Sequence, residues 1–332
     1  MKLTIKKIAE MAEVSRTTVS RVLNDSGYVS GEARDRVLAV INATGYVPSQ
    51  QAKSLRTKKT KIIGVILPKL STETSSRIVN GMNDVFQEHG YNILLTSTNL
   101  DFQKEIEYLR LLKSKQVDGI ILVATNINPN LTEEILNIDL PFVAIGQEIP
   151  GVSCVTNNDY AAAKEMTELL IGKGYESIGF IGVSDSDRAV GYARKQGFLD
   201  TIEKHQLVLR EEWIQSAQFD IESGYEAMRK IGGELGVSPL PRAVVCVTDR
   251  LAIGAMQYIK EKGFHIPTDI SVTGMGASEI SRMVLPALTT IDFENEKIGQ
   301  QAAYFLLEQI NSNKTEEIKW EINYRLLVRD SI

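Results

Sequence analysis

Cysteine and histidine are scarce: two of the first and three of the second in 332 residues. Cys154 and Cys246 stand far apart without a partner pattern, which argues against a disulfide framework or a zinc site and fits a reducing cytoplasm. His89, His205 and His265 are scattered and leave little material for a metal cluster. Long apolar runs are missing, since none approaches the roughly 18–20 residues of a membrane span. Met1 to Lys7 is followed by no apolar stretch and cleavage site, so no secretory leader is expected. Catalytic signatures are missing too. Gly64 and Gly81 are too far apart for a phosphate loop, and neither Gly-Lys-Ser/Thr nor Gly-x-Ser-x-Gly occurs. Asp185 and Asp187 imitate a paired-acid site, but their Ser-Asp-Ser-Asp setting reads as an exposed loop. Neither an enzyme nor a cofactor is expected.

What is present divides in two. The first sixty residues hold eleven Lys and Arg against five Asp and Glu, a net of +6, whereas the whole chain carries -5. The remainder therefore carries -11. A basic head on an acidic body points to a polyanionic partner for the head alone.

The head reads as three short helices. Ile5, Ile8, Ala9 and Ala12 have helical spacing; Ser15 can cap a second helix with Val19, Val22 and Leu23 as its apolar stripe. Ser30 caps a third, with Ala33, Val37, Leu38 and Ile41 expected inward. This is a small bundle with a helix-turn-helix inside it. Arg16, Thr17 and Ser20 fall opposite the apolar stripe, where side chains at a recognition helix's start reach base edges in the major groove. Thr18 and Arg21 are better placed for phosphates. Ser49 to Leu55 is short and polar, and is expected to be a hinge that orders only against a partner or DNA.

From Lys61 the pattern alternates. Ile62–Leu67 is a continuous apolar run, as in a strand buried on both faces. Strands are expected near 92–96, 119–123, 142–145, 178–181, 244–247 and 271–274. Helices are expected near 76–88, 103–115, 160–173, 191–205, 222–232, 249–262 and 295–310. Such alternation implies parallel sheets with helices on both faces. The length suggests two sheets, with crossings near 156–159, 289–293 and 320. The expected fold is an all-α helix-turn-helix head plus an α/β body of two lobes. Its domains are 1–48, a hinge at 49–60, and a body at 61–332. Lobe one takes about 61–157 and 292–320, and lobe two about 158–291 and 321–332.

The run from Thr4 to Ser15, then Thr18 to Asn24, Val29-Ser30, Arg34, Val37, Gly45 to Pro48, Ala52, Leu55 and Ile63 to Val65, resembles the lac repressor (LacI/GalR) family. The likeness extends through the body. It implies a two-lobed body like that of periplasmic sugar-binding proteins, and a homodimer on double-stranded operator DNA. DNA contacts are implied at Thr4, Ser15, Arg16, Thr17, Thr18, Ser20, Arg21 and Asn24. Leu55 matches a hinge leucine that wedges into a central base step, with Ala52 and Lys53 as its minor-groove neighbours.

For the body, the resemblance implies an effector between the lobes, held from the loops that follow strands. Ser71, Glu73 and Ser75 follow the first strand. Arg194 opens an Arg-x-x-Gly-Phe signature, Phe219 offers a stacking face, and Thr248 begins the Thr-Asp pair whose Asp249 can cap the next helix. Two positions depart from the pattern. Gly276 stands where many sugar-responsive members carry aspartate, and Gln147 falls where Asp-Arg is common. These departures speak against a lac-type galactoside and leave room for a bulkier sugar, a disaccharide such as sucrose. The expected protein is a cytoplasmic repressor of a carbohydrate operon, released by a mono- or disaccharide. The alternatives are a regulator answering to a protein corepressor and a sugar-binding protein with no regulatory role. No C-terminal coiled coil, and so no tetramer of that kind, is expected.

Overall fold

The computed structural model describes residues 3–46, 59–233, 239–312 and 317–332. They fall into two compact units, one ending at Lys61 and the other beginning at Ile62.

The first unit holds α1 (Ile5–Met11), α2 (Arg16–Leu23) and α3 (Gly31–Thr44). Each begins at a hydroxyl cap: Thr4 accepts from the Lys7 amide, Ser15 from Thr18 and Ser30 from Ala33. The turn between α1 and α2 sets Glu13 at φ 50° and lets the Val14 amide reach the Ala9 carbonyl at 3.0 Å. Ile8, Ala9, Ala12, Val19, Val22, Val37 and Tyr46 form the core. Leu38, expected inward, is 42% exposed. The α3 stripe is set by Val37, Val40 and Ile41, and at 3.6 residues per turn Leu38 is rotated about 100° from Val37. The segment 49–55, expected as a hinge, lies outside the described residues.

The second unit starts with β1 (Ile62–Leu67), α4 (Glu73–Glu88), β2 (Asn92–Ser97), α5 (Gln103–Ser114) and β3 (Gly119–Val123). It continues with α6 (Pro129–Leu136), β4 (Phe142–Ile145) and β5 (Ser153–Asn157), and regains this lobe later with α11 (Asn295–Ser312) and β11 (Lys319–Ile322). The sheet order is β11-β5-β4-β3-β1-β2, with every pairing parallel. Side chains of β1 alternate between its two faces. Ile63, Val65 and Leu67 join the core under α4 and α11, while Ile66 joins Leu109, Leu112 and Ile120 on the other side.

The other lobe contains α7 (Asp159–Gly172), β6 (Ile178–Gly182), α8 (Arg194–Lys204), β7 (Ile214–Ser216) and α9 (Ile221–Gly232). It is completed by β8 (Ala243–Cys246), α10 (Asp249–Glu261) and β9 (Ser271–Thr273). Its sheet is β7-β6-β8-β9, again parallel throughout. The chain passes between lobes at 157–159, at 292–295 and at 322–325. There β10 (Thr290–Asp292) and β12 (Arg325–Leu327) pair antiparallel.

Glycines bring helix pairs into backbone contact in both lobes. A Cβ on Gly81 of α4 would lie 2.0 Å from the Glu296 carbonyl oxygen, and one on Gly299 of α11 would lie 2.0 Å from that of Ile78. In the second lobe Gly224 of α9 and Gly254 of α10 oppose Leu251 and Ile221 in the same way.

Several boundaries differ from expectation. Helix α6 was not foreseen, although Asn128 caps it and Pro129 opens it. The helix expected from 191 begins as a π turn, Arg188–Ala193, and becomes α-helical only at Arg194. The expected lobe boundary at 320 cuts through β11, which pairs with β5 along its whole length from Lys319 to Ile322.

Candidate functional site

In the first unit, Val19 and Val22 anchor α2 in the core and turn its other face to solvent. Arg16, Thr17 and Arg21 are exposed on that face, and their side chains make no hydrogen bond or ion pair among the described residues. Ser15 and Thr18 share a hydroxyl contact of 2.9 Å, so both are partly committed to capping. Asn24 donates its amide to the Ser20 carbonyl at 2.6 Å and closes the helix. Thr4 caps α1. Ala52, Lys53 and Leu55 lie outside the described residues. The start of α2 thus combines uncommitted guanidinium and hydroxyl donors with helix N-terminal amides, a suitable surface for phosphates and base edges.

In the second unit a cavity of about 210 Å³ lies between the lobes, at the carboxyl ends of β1, β3, β4, β5, β6 and β8. Seven of the eight expected effector residues line it: Glu73, Ser75, Gln147, Arg194, Phe219, Thr248 and Gly276. Ser71 does not; it is exposed in the turn before α4. Lys69 and Thr72 on either side of it line the cavity instead.

Arg194 is almost fully buried. Its Nε and Nη2 donate to Asp159 Oδ1 at 2.7 and 2.6 Å, and Nη1 donates to the Val247 carbonyl. The guanidinium carbon also sits 4.4 Å from the Phe293 ring centroid. Burial of a charge on this scale requires such pairing. Arg194 is therefore held rigidly, and the remaining donors of Nη1 and Nη2 are the ones it can offer a ligand.

Asp187 corrects the expectation of an exposed acidic loop. It is 7% exposed. Its Oδ1 accepts from the amides of Ala189 and Val190 at the start of the π turn. Burial pushes its carboxyl up to about 6, against the pull of the Val190 amide and the Arg194 charge. Asp185, by contrast, is exposed and pairs with Lys195. Asp249 is not the helix cap: Thr248 accepts from the Leu251 amide in that role. The Asp249 carboxylate instead accepts from the Ser278 amide and hydroxyl, at 2.6 and 2.8 Å, and from the Thr290 hydroxyl. Burial raises its pKa despite these bonds.

Contacts cross the cavity mouth from lobe to lobe. Both Glu73 oxygens accept from the Glu279 amide, at 3.0 and 2.8 Å. Arg77 donates to the carbonyls of Gly276 and Ala277 and to Asp292, each at 3.4 Å. Gln147 donates to Asp187 at 3.3 Å. Gly276 has φ 140°, in the region glycine favours, and a Cβ there would lie 3.6 Å from an Asp249 oxygen. An aspartate at 276 would strain the backbone and bring a second carboxylate beside that of Asp249.

Sequence reasoning missed Lys69, Asn157, Asp159 and Arg250, all of which line the cavity. Arg250 adjoins the Thr248-Asp249 pair, and Lys69 lies in the loop already singled out, so proximity was an available signal for both. Asp159 meets Arg194 from 35 residues away and carries no local signal.

Residues 4–49 match the family model described as "Bacterial regulatory proteins, lacI family". Residues 60–329 match "Periplasmic binding proteins and sugar binding domain of LacI family". The HTH-type transcriptional regulator RegA of Clostridium saccharobutylicum is 32% identical over 333 residues, covering 100% of this chain and 99% of the relative. The HTH-type transcriptional repressor PurR of Pasteurella multocida (strain Pm70) is 32% identical over 332 residues, covering 99% and 98%. Among solved structures, the lac repressor dimer bound to operator and the anti-inducer ONPF aligns with a TM-score of 0.88 at 22% identity, covering 100% of this chain and 99% of that one. The complex of the transcriptional regulator CelR with cellobiose aligns with a TM-score of 0.75 at 23% identity, covering both chains fully. These two share the fold. Head and body match models of one family, in the order found in relatives that align from end to end, and the chain belongs to the LacI family of bacterial regulatory proteins.

Proposed function

We propose that this regulator is a repressor of a carbohydrate-utilisation operon, acting in the cytoplasm as a homodimer on a near-palindromic operator. Residues 1–48 read the DNA, 49–60 form the hinge, and 61–332 bind the effector and pair the subunits. Arg16, Thr17 and Ser20 read bases, while Thr18 and Arg21 hold phosphates; Leu55, with Ala52 and Lys53, enters the minor groove at the centre. A mono- or disaccharide in the inter-lobe cavity weakens DNA binding.

One observation carries this reading: the cavity is bridged by Glu73, Arg77 and Gln147, so an occupant alters the contacts that fix the lobes against each other. A ligand shifts such an equilibrium only through unequal affinity for its two states. Support for a sugar comes from CelR, solved with cellobiose, and from a LacI family regulator of Enterococcus faecium solved with ribose. Support for a second copy comes from β2, an edge strand whose Leu94 and Leu95 are 38% and 40% exposed, where parallel strands are usually covered on both faces.

The test is to recover an operator by selecting genomic fragments on the full chain, then to titrate it at several salt concentrations with and without sugars. Affinity is expected to fall steeply with salt and to drop further when the effector is added. Tight operator binding that no mono- or disaccharide changes would reject the sugar-effector reading.

A further inference from the structure

The hydrogen-bonding groups of the cavity are unevenly committed. All four carboxylates that line it have partners within the protein. Glu73 accepts from the Glu279 amide, Asp159 from Arg194, Asp187 from two amides, and Asp249 from Ser278 and Thr290. Two cations that line it do not. Lys69 and Arg250 are half-buried, and neither side chain makes a hydrogen bond or close ion pair among the described residues. The Arg250 Nε is fully buried with no acceptor. A third group is also unmatched: Asn157 Oδ1 is buried in the cavity wall with no donor.

Buried polar atoms in folded proteins are almost always satisfied, so orphans in a ligand cavity describe what the ligand brings. An uncommitted ammonium and a guanidinium Nε call for a charged acceptor, which forms stronger hydrogen bonds than a neutral hydroxyl. The orphaned Asn157 oxygen calls for a donor, as a sugar hydroxyl supplies. The two cations share one neighbourhood. The Asp220 carboxyl, held down first by the Ser223 amide, is lowered further by the charges of both Lys69 and Arg250. Both charges thus act on one carboxylate, which places Lys69 and Arg250 at the same end of the cavity.

We propose that the effector is an anionic carbohydrate, a sugar phosphate or sugar acid, whose anionic group lies against Lys69 and Arg250 while one of its hydroxyls donates to Asn157. This rests on the reading of the cavity as a sugar-effector site. It explains why a neutral sugar would leave the site incomplete: its hydroxyls would satisfy Asn157 but bring no charge to the two cations.

The experiment is calorimetric titration of the full chain with glucose, glucose 6-phosphate, glucuronate, sucrose, sucrose 6-phosphate and inorganic phosphate. It is repeated on the Lys69→Gln/Arg250→Gln double variant, with far-UV circular dichroism and the melting midpoint confirming that the variant is folded. The expected result is that an anionic sugar binds about tenfold or more tightly than its neutral parent, an increment of charge-assisted bonding. That preference should shrink as salt rises and vanish in the double variant. The phosphate and uronate arms separate the two sources of charge. A neutral parent that binds as tightly as its anionic derivative overturns the proposal and leaves the sugar-effector reading standing. So does an anion preference that survives in the folded double variant. Inorganic phosphate binding as tightly as the sugar phosphate overturns it too, because Asn157 would then contribute nothing. Silence in every arm removes the sugar-effector reading itself, and the proposal with it.

Discussion

Arg16 in the head and Arg194 in the body carry the same guanidinium in opposite circumstances. Arg16 is exposed at the start of α2 and unpaired among the described residues. Arg194 is buried between Asp159, the Val247 carbonyl and the Phe293 ring. An exposed cation costs the fold nothing while it waits for a partner. A buried one is stable only with its charge matched beforehand. Function in the head can therefore be changed without touching stability, whereas in the body the two are tied together.

The sharpest way to break that contrast is Arg194→Ala, which leaves Asp159 buried and unpaired. The expected loss is about 3–5 kcal/mol of body stability in denaturant titration, alongside any loss of effector response. A near-neutral result would mean that Arg194 serves the ligand alone. Asp187 comes next. Its carboxyl titrates at about 6 in the folded chain against an ordinary value of 3.8. The folded state therefore holds the proton more tightly than the unfolded one. Stability should fall as pH rises from about 4 to about 6 and stay lower above. Asp187→Asn keeps the oxygen that caps the π turn and removes that penalty, for a gain of up to about 3 kcal/mol at pH 7. Melting midpoints between pH 4 and 7 should lose part of their slope in this variant. The remaining slope belongs in part to Glu105, which burial pushes to about 7 against its hydrogen bond from Asn126.

The head should behave otherwise. Arg16→Ala is expected to reduce affinity for a selected operator by about tenfold to a hundredfold, with the melting midpoint unmoved; fluorescence anisotropy and calorimetry read the two separately. The smallest effect is expected at Glu13, which holds φ 50° in the turn before α2. Glu13→Gly should stabilise the head by about 0.5 kcal/mol, because glycine adopts that backbone region without a Cβ clash. Slower amide exchange in α1 and α2 would show it.

The same contrast explains what could be read from the sequence. Ser15, Val19 and Val22 set α2 by local spacing, and the residues opposite them followed. Continuous apolar runs such as Ile62–Leu67 marked the parallel strands. Post-strand loops led to Glu73, Gln147 and Thr248, since a cleft forms where those loops converge. What escaped was decided by contacts distant in sequence. Asp187 looked like a turn residue because nothing near it announces burial. The direction of Ser71 and Lys69 depends on how the chain enters α4. Which cations remain unpaired emerges only once every carboxylate has found its partner.

Helix α4 joins two of these features. Its first turns grip the opposite lobe through Glu73 and Arg77, and further along Gly81 seats it against α11 with no room for a methyl group. The helix is thus a strut without slack. Force applied at the 276–279 loop cannot be absorbed by slippage between α4 and α11, because their backbones already touch and close-packed interiors transmit strain. The six-stranded sheet must move with them, and displacement of two or three hydrogen bonds at the cavity mouth becomes the travel of an entire lobe.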